Sequence, residues 1–281
     1  MKRSSTGTAD QLIRVDRRYN GPPDSANGGY ACGLIAARAS RMLGADGTPV
    51  VHLHAPPPLD TGLRAVRAGR RVHVRHGERL IATVSHQVSV MEPVEFVPPA
   101  LAERAMLRYT GHRSHPFPTC FVCGPGHRDG WRLAPGPVPG SEDRVACLWT
   151  PGPHAGTATG SGSETGSVAE EWVWAALDCP GGWALGPSAP DPRNGPPTPD
   201  PLSGPLSGPL VLGRMSARIS ALPRVGETLV LVGRGTPGAG RVHTCTTALF
   251  RRDGTELGRA AATWVRTAPP ASLQDRNAGN S

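Results

Sequence analysis

The chain has 281 residues, of which 38% are hydrophobic, and a formal net charge of +8. This length is enough for one large domain or for two of ordinary size. The 36 glycines and 31 prolines predict many turns and loops. Six cysteines are too few for a disulfide-stapled secreted scaffold, so we expect reduced thiols. Neither a signal peptide nor an 18-residue apolar run is present, so we predict a soluble cytoplasmic protein with no membrane association.

The positive charge is carried almost entirely by arginine, because Lys2 is the only lysine. The arginines are scattered over many predicted strands and loops, and no arginine-rich helix or arginine–aromatic strand motif occurs. We therefore do not expect nucleic acid as a partner. A small molecule that carries phosphate, such as coenzyme A, fits the charge equally well.

In the first half, hydrophobic patterning predicts one apolar helix and then four strands. The helix covers Tyr30–Leu43 and ends at Gly44, and the strands are Val50–His54, Leu63–Arg67, Arg71–Arg75 and Leu80–Val90. A short strand at Gln11–Arg17 precedes them, and a connector from Glu92 to Pro118 with a short helix at Leu101–Arg108 follows.

The second half repeats this order. A strand at Arg144–Thr150 and a helix at Val168–Asp178 come first, and Pro180 is expected to interrupt or kink that helix. After a proline-rich loop at Pro187–Pro209, the predicted strands are Leu210–Leu222, Thr228–Gly233, Val242–Arg251 and Glu256–Arg266.

The repeated order indicates an internal duplication. One helix followed by a strongly antiparallel set of strands predicts an α+β fold, with each sheet wrapped around a buried helix. We expect an N-terminal unit at 10–92, a linker at 93–117, a C-terminal unit at 118–267 and a disordered tail at 268–281.

The helix in the second half ends in a single carboxylate, Asp178, next to bulky residues that include Trp172 and Trp174. Burial raises the pKa of an acid, so such a group is either paired or kept for chemistry. A structural role as a cap or salt-bridge partner is the alternative, and the segment alone does not decide between the two.

Three short motifs carry a family resemblance, namely Pro118–Pro125 with Asp129–Leu133, Trp174–Asp178, and Asn27–Gly29. They resemble motifs of the hot-dog acyl-CoA thioesterases. The first resembles the opening of the family's small members, the second the part of the central helix that carries the catalytic acid, and the third the His-Gly-Gly that begins that helix. The chain from 11 to 267 resembles a double hot-dog protein, two such units forming a pseudo-dimer.

The resemblance implies a composite site. In the family the acid lies nine positions after the motif's histidine, but nine positions after Asn27 is Ala36. Nine positions before Asp178 is Ala169, which two glutamates follow. One site per chain would then combine the glycines of the first half with the acid of the second. The implied catalytic residues are Asp178, Asn27 and Gly29, and the implied substrate-binding residues are Gly28, Tyr30 and Trp174, with the Gly29 and Tyr30 N–H groups holding the oxyanion.

These observations predict a thioester hydrolase that acts on an acyl-CoA or an acyl-carrier-protein thioester. A hot-dog hydratase or dehydratase and a non-catalytic acyl-thioester binding protein are the alternatives, and a homo-oligomer is left open. No resident cofactor is expected.

The sequence also contains a candidate metal-binding site. Cys120-x-x-Cys123 and His127 have the spacing of one part of a zinc ligand set. His115 or Cys147 could be a further ligand. No second such motif completes a tetrahedral set, so we expect no metal.

Overall fold

The computed structural model describes residues 12–44, 47–87, 91–155, 166–186, 208–238 and 240–268. Most of the predicted proline-rich loop, at 187–207, and the predicted tail after 268 lie outside this part of the chain. Of the helices in the described part, none has the length and apolar character needed to cross a membrane.

The described strands form one ten-stranded sheet, and every neighbouring pair in it is antiparallel. The strands are β1 (Thr48–Leu53), β2 (Arg64–Ala68), β3 (Arg71–His76), β4 (Arg79–Gln87), β5 (Gly136–Pro137), β6 (Arg144–Trp149), β7 (Leu210–Ile219), β8 (Leu229–Thr236), β9 (Val242–Arg251) and β10 (Glu256–Arg266). Their order across the sheet is β2-β3-β4-β1-β7-β10-β9-β8-β6-β5.

The two halves of the sheet have the same internal order. β2-β3-β4-β1 and β8-β9-β10-β7 are the same permutation of four consecutive strands, placed back to back. The halves join where β1 pairs with β7, with Val51 opposite Met215. Both residues are fully buried, so the junction is part of the core and the sheet is continuous across it.

The described residues contain three α-helices: α1 (Gly28–Leu43), α2 (Pro99–Met106) and α3 (Glu170–Ala184). α1 contacts the strands of the first half, α3 contacts those of the second half, and the two helices contact each other. α2 lies elsewhere, against β5 and β6. The alternation in β8 explains this layering, because Leu229 and Leu231 belong to the core under α1 and α3, whereas Val230 and Val232 belong to a second cluster that includes residues of α2.

Two glycines one helical turn apart allow α1 and α3 to approach closely. A Cβ at Gly29 would lie 2.5 Å from the Asp178 Cβ and 2.6 Å from the Trp174 carbonyl oxygen. A Cβ at Gly33 would lie 2.7 Å from the Glu171 Cα. Because these two positions have no side chain, α3 can approach α1 closely enough for Asp178 to lie against the beginning of α1.

Most predicted elements are confirmed, and the exceptions have physical reasons. α3 continues past Pro180 to Ala184 instead of ending before it. Thr247 donates a hydrogen bond to the Leu177 carbonyl at 2.8 Å. This carbonyl lies in the helical turn before Pro180, where the proline disturbs the backbone hydrogen bonds, so it has a side-chain partner. The strand predicted at Gln11–Arg17 is wrong in its described part, where only an isolated bridge from Ile13 to Leu63 forms. β5 was not predicted, because two residues carry no periodic signal.

Candidate active site

The site lies at the N-terminal end of α1. Asn27 is the N-cap, and its Oδ1 accepts a hydrogen bond from the Tyr30 N–H at 2.9 Å. This fixes the orientation of the side chain, so its Nδ2 points away from the helix. Nδ2 donates to the Asp178 Oδ2 at 3.1 Å. Asn27 is 3% exposed, so this amide is held in place from both ends.

Asp178 reaches the beginning of α1 from α3. Its Oδ2 accepts hydrogen bonds from Asn27 and from the Gly29 N–H, the latter at 2.9 Å. Its Oδ1 is buried and has no hydrogen-bond partner among the described residues. One carboxylate oxygen is therefore anchored, and the other has no hydrogen-bond partner in the described part of the chain.

The electrostatics of Asp178 follow from its position. Burial raises the pKa of this carboxyl to about 7, and the hydrogen bond from the Gly29 N–H acts in the opposite direction. α1 has no acidic residue of its own in its first turn. Asp178 therefore supplies the negative charge that the positive end of a helix dipole favours.

A cavity of about 390 Å³ opens beside the carboxylate. Asn27, Gly28 and Asp178 border it, so both halves of the chain contribute to its wall. The rest of the wall is largely apolar, and it includes Phe117, Trp183, Leu212 and Trp264. A cavity of this size, apolar with a few polar groups that converge, is typical of a small-molecule site.

The structure brings Asn27, Gly29 and Asp178 together, but it does not place every predicted residue at the cavity. The Gly29 and Tyr30 N–H groups donate to Asp178 and Asn27, so neither is open to a substrate oxygen. Tyr30 and Trp174 are buried and do not border the cavity, and Trp174 is fully enclosed in the core. This placement does not support their assignment as substrate-binding residues or the oxyanion role of those two N–H groups.

Gly28 has the N–H group that is left without an acceptor at this end of α1. Its N–H is the first in α1, has no acceptor among the described residues, and belongs to a residue on the cavity wall. The first N–H groups of a helix lack intrahelical partners. Gly28 was predicted only as a substrate-binding residue, because the sequence does not show which neighbouring N–H groups are occupied.

Sequence reasoning also missed a group of side chains next to the acid. Cys120, Cys123 and Cys179 converge at the cavity wall, and the His115 Nε2 lies 3.3 Å from the Cys123 Sγ. Hydrogen bonds from the other two thiols lower the pKa of Cys120 well below its usual value and raise the pKa of its two neighbours. The Cys-x-x-Cys motif was the available signal, but Cys179 is 56 and 59 positions away from its two cysteines.

The comparisons with known proteins identify the fold. No protein-family model and no curated protein sequence matches the chain. Among solved structures, a protein from Novosphingobium aromaticivorans, provisionally named a thioesterase, has a TM-score of 0.54 at 14% identity, over 92% of this chain and 97% of that one.

Two further structures also cover most of the chain. The tesB protein of Mycobacterium avium subspecies paratuberculosis has a TM-score of 0.49 at 14% identity, over 92% of this chain and 91% of that one. A protein from Thermobifida fusca, provisionally named thioesterase II, has a TM-score of 0.49 at 15% identity, over 91% of this chain and 92% of that one. The chain has the fold of the hot-dog thioesterases.

Proposed function

We propose that the protein hydrolyses an acyl thioester in the cavity between its two halves. The observation that carries this proposal is the geometry of Asp178. One oxygen of its carboxylate is anchored by Gly29 and Asn27, the other is buried without a partner among the described residues, and Asp178 borders a largely apolar cavity. A fixed carboxylate with one free oxygen is suited to remove a proton from water, or to attack a carbonyl itself.

The chain would be a double hot-dog, in which the two units form a pseudo-dimer. The same strand permutation in both halves and the back-to-back pairing of β1 with β7 support this arrangement. The units would be residues 10–92 and 118–267, with 93–117 as the linker. In such a pseudo-dimer, α1 and α3 are the two central helices, and each half supplies one part of the site.

Hydrolysis would proceed in two steps. The thioester carbonyl would accept a hydrogen bond from the Gly28 N–H, where the beginning of α1 stabilises developing negative charge. The Asp178 Oδ1 would take one proton from a water molecule, whose oxygen then bonds to the carbonyl carbon. When the tetrahedral intermediate collapses, the carbon–sulfur bond breaks and the departing thiolate takes up that proton. The products are a carboxylic acid and a free thiol.

Asn27 would act as a positioning residue in this reaction. Its amide holds the Asp178 Oδ2, and its other end caps α1. The two hydrogen bonds fix the position of the acid relative to the beginning of the helix, which are the two parts that would act on the carbonyl. Small errors in such positioning reduce rates strongly.

The substrate would be a thioester of coenzyme A or of a carrier protein's phosphopantetheine arm. The largely apolar wall suits an acyl chain, and Arg241 is the one arginine among the described residues of the wall. A guanidinium at this position is suited to a phosphate of the carrier. The identity of the acyl group follows from a substrate panel.

A thiol-release assay tests the proposal. The purified chain is incubated with acetyl-, octanoyl-, palmitoyl- and benzoyl-CoA, and free thiol is measured with a chromogenic disulfide. We expect release above the background rate for at least one ester, and no loss of crotonyl-CoA absorbance beyond the amount that the released thiol accounts for. Loss of crotonyl absorbance without release of free thiol would identify a hydratase instead. Binding of an ester without turnover would identify a non-catalytic binding protein.

A further inference from the structure

Three cysteine sulfur atoms meet at one wall of the cavity. The Sγ atoms of Cys120, Cys123 and Cys179 all lie within 4.8 Å of one another, and those of Cys120 and Cys179 are 3.9 Å apart. A tetrahedral zinc ion with Zn–S bonds of about 2.3 Å holds its sulfur ligands about 3.8 Å apart. A disulfide requires a separation of about 2.05 Å. The arrangement therefore has the spacing of metal ligands.

The backbone around the first two cysteines is folded into a tight turn. The Gly124 N–H donates to the Cys120 carbonyl at 2.8 Å, and a Cβ on Gly124 would lie 2.5 Å from the Cys120 nitrogen. Only glycine fits at this position, and the turn directs both sulfur atoms to the same side.

The third cysteine comes from α3 and faces that turn. Cys179 is buried, and its sulfur lies 3.8 Å from the Asn27 Nδ2, which is also 3.9 Å from the Cys120 sulfur. All three cysteines border the cavity, so an ion could reach them from solvent. An ion held here would join the 120–124 turn to α3 next to the anchored carboxylate.

His115 has a supporting position and is not a fourth ligand. The Phe117 N–H donates to its Nδ1 at 2.9 Å, so in the neutral ring the proton is on Nε2. That Nε2 lies 3.3 Å from the Cys123 Sγ and donates to it. A histidine that binds metal through Nε2 donates its Nδ1 proton to a partner, and here that nitrogen faces a donor. The fourth coordination position would therefore be open to the cavity.

We propose that Cys120, Cys123 and Cys179 bind one zinc-like divalent cation as a three-thiolate site, with His115 donating a hydrogen bond to the Cys123 sulfur. The proposal reverses the sequence-based expectation that no metal binds. It does not rest on the proposed function, because its ligands and its tests are separate from thioester turnover.

Cobalt substitution tests the ligand set without any activity measurement. The full chain is purified with a phosphine reductant, its zinc content is measured by mass spectrometry, and the metal-free protein is titrated with Co²⁺. We expect one ion per chain. The visible bands of tetrahedral cobalt and the near-ultraviolet thiolate-to-cobalt bands should appear together and should disappear on addition of Zn²⁺.

Variants separate ligands from neighbours. Cys120→Ser, Cys123→Ser and Cys179→Ser should each weaken Co²⁺ binding by more than about 100-fold, which exceeds the usual effect of an outer-shell partner. Cys147→Ala and Cys245→Ala are matched controls, because these buried cysteines lie outside the group, and they should leave the spectrum unchanged. Circular dichroism verifies that each variant is folded.

His115→Phe preserves a ring against Tyr109 and Trp183 but removes the donor. It should retain the thiolate-to-cobalt bands with an affinity about 10–100-fold lower. Loss of those bands in this variant would overturn the three-thiolate set. A wild-type chain that binds neither Co²⁺ nor Zn²⁺, or that is isolated metal-free with a Cys120–Cys179 disulfide by intact mass, would overturn the metal site.

Discussion

The beginnings of α1 and α3 differ in where their negative charge comes from. α3 begins with Glu170 and Glu171, which supply the charge that favours its own dipole. α1 begins with two glycines and has no acid in its first turn. Its negative partner is Asp178, which comes from the other helix. The beginning of α3 has its own acidic residues, whereas the beginning of α1 depends on a carboxylate from the other half of the chain.

Under the proposed function, this difference is the reason to expect one site and not two. At the beginning of α1, small residues leave room for a cavity and for an approaching acid. At the beginning of α3, Glu171 packs against Gly33, and Ala36 stands where an acid would be needed.

Removing the charge from the shared acid should have the largest effect. Asp178→Asn retains an oxygen that can accept from Gly29 but is not a base, so kcat for thiol release should fall by about 10²–10⁴-fold. Glu171→Gln is the matched control on the same helix, and its rate should change by less than about twofold. Equal rates for Asp178→Asn and the wild type would remove Asp178 from the mechanism.

Adding an acid at the equivalent position should not create a second site. Ala36 is 1% exposed, so Ala36→Asp buries a carboxylate and should lower the free energy of unfolding by several kcal/mol. Ala37→Asp, at a half-buried neighbour, should be milder. Denaturant unfolding and thiol release measure both effects. A gain in turnover for Ala36→Asp would contradict the asymmetry.

Filling the contact between the helices should separate the acid from the beginning of α1. Gly29→Ala places a methyl group against Asp178 and Trp174, and overpacking of this kind costs about 1–3 kcal/mol. Gly152→Ala, where a Cβ meets nothing within 4 Å, is the control. Thermal unfolding should show a clear difference between the two. Equal stability would mean that the close approach is not required.

Two substitutions at Asn27 should separate its effect on stability from its effect on activity. Asn27→Ala removes the cap of α1, at a cost of about 1 kcal/mol, and also the amide that holds Asp178. Asn27→Ser restores a capping oxygen but not the amide, so it should regain most of the stability while kcat stays low. Recovery of both properties in Asn27→Ser would show that the hydrogen bond to Asp178 is dispensable.

The periodicity of the sequence was enough for most of the fold and for the two helices that form the site. It did not predict that α3 continues through Pro180, because the hydroxyl that bonds the Leu177 carbonyl comes from Thr247 on β9, 70 positions along the chain. It also did not show that the Gly29 N–H is occupied by Asp178, or that Cys179 joins Cys120. Each of these contacts depends on the distance between segments that are far apart in sequence.

The number of thioester sites per chain tests the central claim most directly. An S-(2-oxoalkyl) thioether of coenzyme A, with the chain of the best substrate, cannot be hydrolysed and can be titrated into the protein by calorimetry. One site between the halves predicts one molecule bound per chain, and it predicts that Asp178→Asn retains this stoichiometry. Two molecules per chain, or undiminished binding when Gly28→Leu closes the cavity beside Leu212, would contradict it.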